Sequence, residues 1–139
     1  MKMFCNPTAL NDEPPPELRY AEVYYYGYRG PSPGPGALGV CHVVRRAYQS
    51  DDDGQPLDPR LDLWNHSPTG FEWGYGGSGP CQLALALLAD ALGDGQEQLA
   101  VALRQTFKSR FVAGLPRDAH WCCRKSDVLR WVADQGREG

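Results

Sequence analysis

An imidazole, a carboxylate, a thiol and two serine hydroxyls fall within the stretch NHSPTGFEWGYGGSGPCQLALALL, residues 65 to 88. His66 with Glu72 as its partner has the residue types for general acid or base work, and a His-Ser-Pro turn is the kind of loop position that carries function. The competing reading is local. Asn65, His66 and Ser67 can use their polar groups to hold the turn through backbone hydrogen bonds. Glu72 lies between Phe71 and Trp73, so alternation along an extended chain sends it to the opposite face from those aromatics. If they face the core, it faces solvent.

Cys81 follows Pro80 at the start of an apolar run, where a helix dipole would favour thiolate and a Cys-His nucleophile could be assembled. A small apolar cysteine wedged in a core accounts for it as well. Ser78 in GGSGP matches the first part of a nucleophile elbow, but Pro80 stands where the closing glycine belongs. Helix capping is the simpler role for Ser78. The glycine turn could present free amides to an anion. It lacks both GxxxxGK[ST] and GxGxxG, and glycines also serve positive φ and close backbone approach. No catalytic residue and no cofactor is assigned on these grounds.

HWCCRK (120–125) offers His120, Cys122 and Cys123, yet neighbouring strand residues point to opposite faces, so no metal site is expected. The five cysteines show no CxxC spacing, and reduced thiols are the default. Tyr24, Tyr26 and Tyr28 share one strand face and Tyr25 the other, and with Arg29 they suggest either sheet packing or a stacking platform. Charge is uneven: residues 1 to 103 hold 6 Lys+Arg against 13 Asp+Glu, and residues 104 to 130 hold 7 against 2. Arg104, Lys108, Arg110, Arg124 and Lys125 are therefore a candidate basic surface for nucleic acid, set against scattered solvated positions. The longest apolar run, LALALLA, falls far short of the ~20 residues needed to span a bilayer. With no secretory-type start in MKMFCNPTALNDEPPP, a cytoplasmic protein without membrane contact is expected.

These residues need elements to position them. AEVYYYGYRG (21–30) and GVCHVVRRAY (39–48) read as paired antiparallel strands across a Pro/Gly loop. Residues 71–75 read as a third strand and HWCCRK as a fourth. PCQLALALLADALG, apolar almost all round, reads as a buried helix ended by Gly93, with Ser78 or Gly79 as its cap. A second helix is expected from 96 to 113 with Leu99, Leu103, Phe107 and Phe111 as its inner stripe. Ser126 would cap a third, with Val128, Trp131 and Val132 inward. The prediction is an α+β domain: a small, mostly antiparallel sheet of three to four strands packed by about three helices, order β-β-β-α-α-β-α. Residues 21–134 form the single domain, 1–20 a flexible Pro-rich tail and 135–139 a disordered tail.

YYGYRG, NHSPTGFEWGYGGSGP and QLALALLADALGD, followed by FK, LP and W before the last helix, together resemble a small uncharacterised bacterial and bacteriophage protein family. That family is a domain of unknown function frequent on mobile elements, and the similarity spans about residues 23 to 133. Alanine is common in its block where this chain has Cys81, which counts against a cysteine nucleophile. The resemblance implies a short accessory protein that acts by binding a host protein complex, including inhibitors of CRISPR and other defence systems. The first expectation is thus a non-enzymatic binding protein using Asn65, His66, Ser67, Glu72, Trp73 and Ser78, with Tyr25 and Arg29 from the tyrosine strand. The alternatives are a small enzyme or anion-binding domain on the 65–81 turn, and direct nucleic-acid binding by the basic segment.

Overall fold

The computed structural model describes residues 3–5, 22–47 and 54–137. Five strands, β1 (Phe4–Cys5), β2 (Val23–Arg29), β3 (Cys41–Ala47), β4 (Gln55–Pro56) and β5 (Trp121–Arg124), form one sheet in the order β1-β5-β2-β3-β4. Every pairing is antiparallel. Three helices, α1 (Ser78–Leu92), α2 (Glu97–Phe107) and α3 (Lys125–Arg137), complete the α+β domain.

The sheet is placed by its alternation. Tyr25 on β2 faces Arg45 and Cys123 across the ladders, and both Tyr25 and Cys123 lie in the core with α1. Tyr25 donates its hydroxyl to Asp90 of α1 at 2.7 Å, and Arg45 reaches the same carboxylate at 3.0 Å. Gly27, next on that inner face, is opposite Trp121. A Cβ there would lie 2.1 Å from the indole, so only glycine lets this ring lie flat on the strand. Trp121 in turn meets Trp73 edge to face at 5.5 Å.

α1 is buried on almost every side, as a helix without a polar face must be. Gly93 ends it with φ 81° and an N–H bonded to the Ala89 carbonyl, as expected. Its start differs: Gly77 is the cap, and Ser78 makes no capping hydrogen bond. At α3, Ser126 is not a self-sufficient cap. Its N–H and hydroxyl donate to the buried Glu22 carboxylate at 3.2 and 2.8 Å, so β2's entry residue serves the helix start. Val128 and Trp131 are buried and Val132 packs against the core, as expected.

Three expectations are corrected. Residues 71–75 form no strand, because Gly70 and Gly74 adopt φ of 128° and 87° and break the extended run; the short β4 is instead the last strand before the helices. The second helix passes after Phe107 into a π-helical segment, Lys108–Val112. Its i+5 step turns Val112 inward after Phe107 and leaves Phe111 half-buried; Leu99, at the start of α2 and ahead of that step, is exposed. At the ends, Met3 is buried and Phe4–Cys5 joins the sheet, while α3 runs to Arg137; the rest of the segments read as tails lies outside the described residues.

Candidate functional site

The chain from Leu57 to Gly77 crosses the amino end of α1 without regular structure, so its backbone polar groups need partners from elsewhere. Gln82 supplies four of them. It is fully buried on α1; its carbonyl oxygen accepts the His66 and Ser67 N–H groups at 2.7 and 3.1 Å. Its amide group donates to the Pro59 and Trp64 carbonyls at 2.6 and 3.0 Å. That is the full capacity of a carboxamide. Ser67 closes the turn by donating its hydroxyl to the Gly70 carbonyl at 2.8 Å. Sequence reasoning missed Gln82, although a lone amide inside PCQLALALLA was the available signal.

Glu72 does not join His66. It is clamped by Arg29, whose two terminal nitrogens donate to its carboxylate oxygens at 2.7 and 3.3 Å. The Arg29 side chain is only 5% exposed, donates further to the Gly39 and Arg117 carbonyls, and lies over the Trp73 ring. Burial pushes the Glu72 carboxyl up, but hydrogen bonding and charge from Arg29 outweigh it and the pKa is lowered. The neighbouring Cys41 thiol is pushed up to about 12 by burial and then by the Glu72 charge. It is no nucleophile at neutral pH.

Close packing explains two of the glycines. A Cβ on Gly74 would meet the Arg117 and Leu115 backbone at 2.8 and 2.7 Å, and one on Gly79 would lie 2.6 Å from the Glu72 Cβ. Gly76 has neither constraint: its φ is not positive, and nothing lies within 4 Å of its would-be Cβ. The Gly74 N–H is itself engaged, donating to the Val112 carbonyl at 3.1 Å. A cavity of about 420 Å³ lies elsewhere, lined by Asp58, Arg60, Asp62, Asp90 and Asp94.

His66 is positioned against α2. Arg104 donates its Nε to His66 Nε2 at 2.9 Å and lies over the Trp64 indole at 4.2 Å. The imidazole stacks on the same indole at 5.7 Å. Arg104 and His66 are thus bonded to each other and both pack on the Trp64 indole. The indole remains 48% exposed. Arginine has only donors, so His66 Nε2 presents a lone pair and the ring is neutral. Burial, then the charges of Arg104 and Lys108, lower its pKa.

That direction fixes a pH dependence. The unfolded chain takes up this proton near pH 6.5, whereas the folded chain resists it to lower pH. The stability contributed by neutral His66 is complete above about 6.5 and is lost as pH falls through that value towards the folded pKa. Urea denaturation of His66→Gln, which keeps an acceptor for Arg104, is expected to show a shallower stability loss from pH 7 to 5 than the parent chain. Equal losses would refute it.

Cys81 is 2% exposed, and burial raises its pKa despite the nearby Lys108 and Arg104. Desolvation overrides the helix-start effect, and the residue is a core thiol. A family model matches residues 25–134. The chain belongs to DUF6166, a family of unknown function. No curated protein and no solved structure matched it. In this DUF6166 chain the residues singled out from sequence divide into distinct groups. Trp73 and Tyr25 are fully buried, which removes Tyr25 as a contact residue. Glu72 and Arg29 pair with each other, His66 and Ser67 hang on Gln82, and Asn65 and Ser78 are exposed.

The basic residues do not form one surface. Arg124 lies over Tyr24, on the sheet face away from the helices, whereas Arg104 is on the helix side. Tyr24 is buried, and Tyr28 is exposed and stacked on His42 at 5.0 Å. Cys122 and Cys123 point to opposite faces, and among the described residues no group of three or more His, Cys, Asp or Glu could hold a metal ion. No helix among the described residues is long and apolar enough to cross a membrane.

Proposed function

We propose that this protein is a non-enzymatic binding module whose contact surface is the rim of the 57–77 crossing, centred on Trp64, His66 and Arg104. One observation carries the reading. Trp64 has a guanidinium over its ring and an imidazole stacked on it, yet remains 48% exposed. An exposed, rigidly backed indole beside a cation is the residue chemistry of interaction hot spots. The groups with reaction potential are engaged internally: Glu72 by Arg29, His66 by Arg104, and Cys81 by burial. The resemblance to proteins of mobile elements makes a bacterial host protein complex, a defence complex among them, the first partner to look for.

The test is capture from a bacterial host lysate with tagged parent chain and with Trp64→Ala, followed by mass spectrometry. Truncating the indole is expected to weaken capture of a specific complex by ~30-fold or more, corresponding to about 2 kcal/mol. It should change the melting temperature by less than ~3 °C, because the ring is half in solvent. A complex retained equally by Trp64→Ala would move the contact surface elsewhere. Turnover of a substrate, or retention on nucleic acid that collapses with salt, would replace the reading.

A further inference from the structure

The rim around Trp64 carries two cations that the chain itself does not neutralise. Arg29, Arg45 and Arg60 each reach a carboxylate, at 2.7, 3.0 and 3.1 Å. Arg104 donates instead to the His66 ring and the Val101 carbonyl, both uncharged acceptors. Lys108 follows one turn later, its N–H bonded to the Arg104 carbonyl, so the two side chains leave the same helix face. Both are half-buried. Among the described residues neither has a carboxylate within ion-pair distance. After burial, it is their two charges that act on the His66 imidazole, the ring that stacks on Trp64.

Like charges four residues apart on a helix repel, and partial burial removes some of the water that would screen them. Folding alone does not favour such a pair. A carboxylate from outside relieves the repulsion and gives both cations a charge-assisted partner.

We propose that Arg104 and Lys108 receive an acidic side chain of the partner protein, while an apolar or aromatic neighbour of that side chain covers the exposed part of Trp64. This rests on the reading of the Trp64 rim as the contact surface and adds what that surface takes: a short peptide segment that sets a carboxylate beside an apolar residue. The guanidinium 4.2 Å over the indole keeps charge and ring side by side, and the indole is open enough to be covered.

A nucleic acid suits the same cations less well. The Trp64 N–H bonds back to the Arg60 carbonyl, which puts the indole one turn of chain from the cavity lined by Asp58, Asp62, Asp90 and Asp94 against one cation, Arg60. A phosphate backbone running past Trp64 would be repelled by these carboxylates. A single acidic side chain need not approach them.

The full chain is to be immobilised and used to select binders from a random peptide library displayed on phage, and the selected peptides measured against variants by fluorescence anisotropy. Enriched sequences are expected to carry Asp or Glu close to an aromatic or large apolar residue. Lys108→Glu should weaken their binding by ~10-fold or more. Exchanging the peptide's acidic residue for lysine should recover most of that loss, which a merely structural role of Lys108 would not allow. No side-chain hydrogen bond fastens Lys108 among the described residues, so this variant is expected to melt with the parent chain. Peptides lost with Trp64→Ala but lacking an acidic residue, or indifferent to Lys108→Glu, would overturn the acidic segment and leave the rim standing. Peptides held equally by Trp64→Ala would overturn both. Absence of any enriched sequence, or tighter binding of single-stranded oligo(dT) than of any peptide, would also overturn the proposal.

Discussion

Gln82→Ala is expected to lower the stability of the chain by about 3 to 5 kcal/mol. Truncation removes one side chain but leaves four backbone groups without their partner: the His66 and Ser67 N–H groups and the Pro59 and Trp64 carbonyls. Each buried group left unpaired costs about 1 to 3 kcal/mol, moderated where water can enter from the loop side. Against a total stability of roughly 5 to 15 kcal/mol this is a large fraction, and the melting temperature should fall by ~10 °C or more. Gln82→Glu separates packing from hydrogen bonding, since it keeps the volume and both acceptors but loses the two donors. It is expected to be at least as damaging, because it also buries a charge. Thermal melts that place Gln82→Ala within about 2 °C of the parent chain would show that the crossing is held by something else.

Gly79→Ala is expected to destabilise by about 1 to 3 kcal/mol, opposite in sign to what helix propensity alone gives. Alanine in a helix gains up to ~1 kcal/mol over glycine. Here the added methyl would lie 2.6 Å from the Glu72 Cβ and 3.1 Å from its backbone nitrogen. Relief requires the 71–74 segment to lift off α1, which also pulls Glu72 from Arg29. Overpacking of this kind costs about 1 to 3 kcal/mol, and propensity does not offset it. Gly76→Ala is the internal control: its Cβ would meet nothing within 4 Å, so it is expected to be neutral or slightly stabilising. Denaturant melts in which both variants behave alike would remove close packing as the reason for glycine at 79.

How far the fold was legible follows from where the information sits in the chain. β2 and β3 were readable because tyrosine and β-branched runs suit a half-buried pleated surface, and α1 because its apolar residues continue all round. Both are local properties. The segment 71–75 has the same strand-like composition, but its conformation is set by what docks on it. Gly74 bonds to the Val112 carbonyl, and Trp73 enters the core against Trp121. The π-helical step after Phe107 likewise leaves no mark in a regular apolar stripe. It became visible only through which side chains are buried.

For the candidate site, sequence located the right stretch and paired the wrong residues. His66 and Glu72 are close in the chain, yet their partners, Arg104 and Arg29, are 38 and 43 residues away. No spacing rule reports such contacts. Trp64, one residue before the quoted stretch, was not among the residues singled out. Its exposure depends on how Arg104, 40 residues on in the chain, packs over it.

The central claim is that the charged groups of this turn fasten it to the sheet rather than perform chemistry. A double-mutant cycle on Arg29→Ala and Glu72→Ala, read by urea denaturation at pH 7, tests it most directly. With Arg29 only 5% exposed and Glu72 32% exposed, the cycle should give a coupling of about 1.5 to 3 kcal/mol. Strictly additive effects, or a Glu72→Ala chain as stable as its parent, would contradict the account.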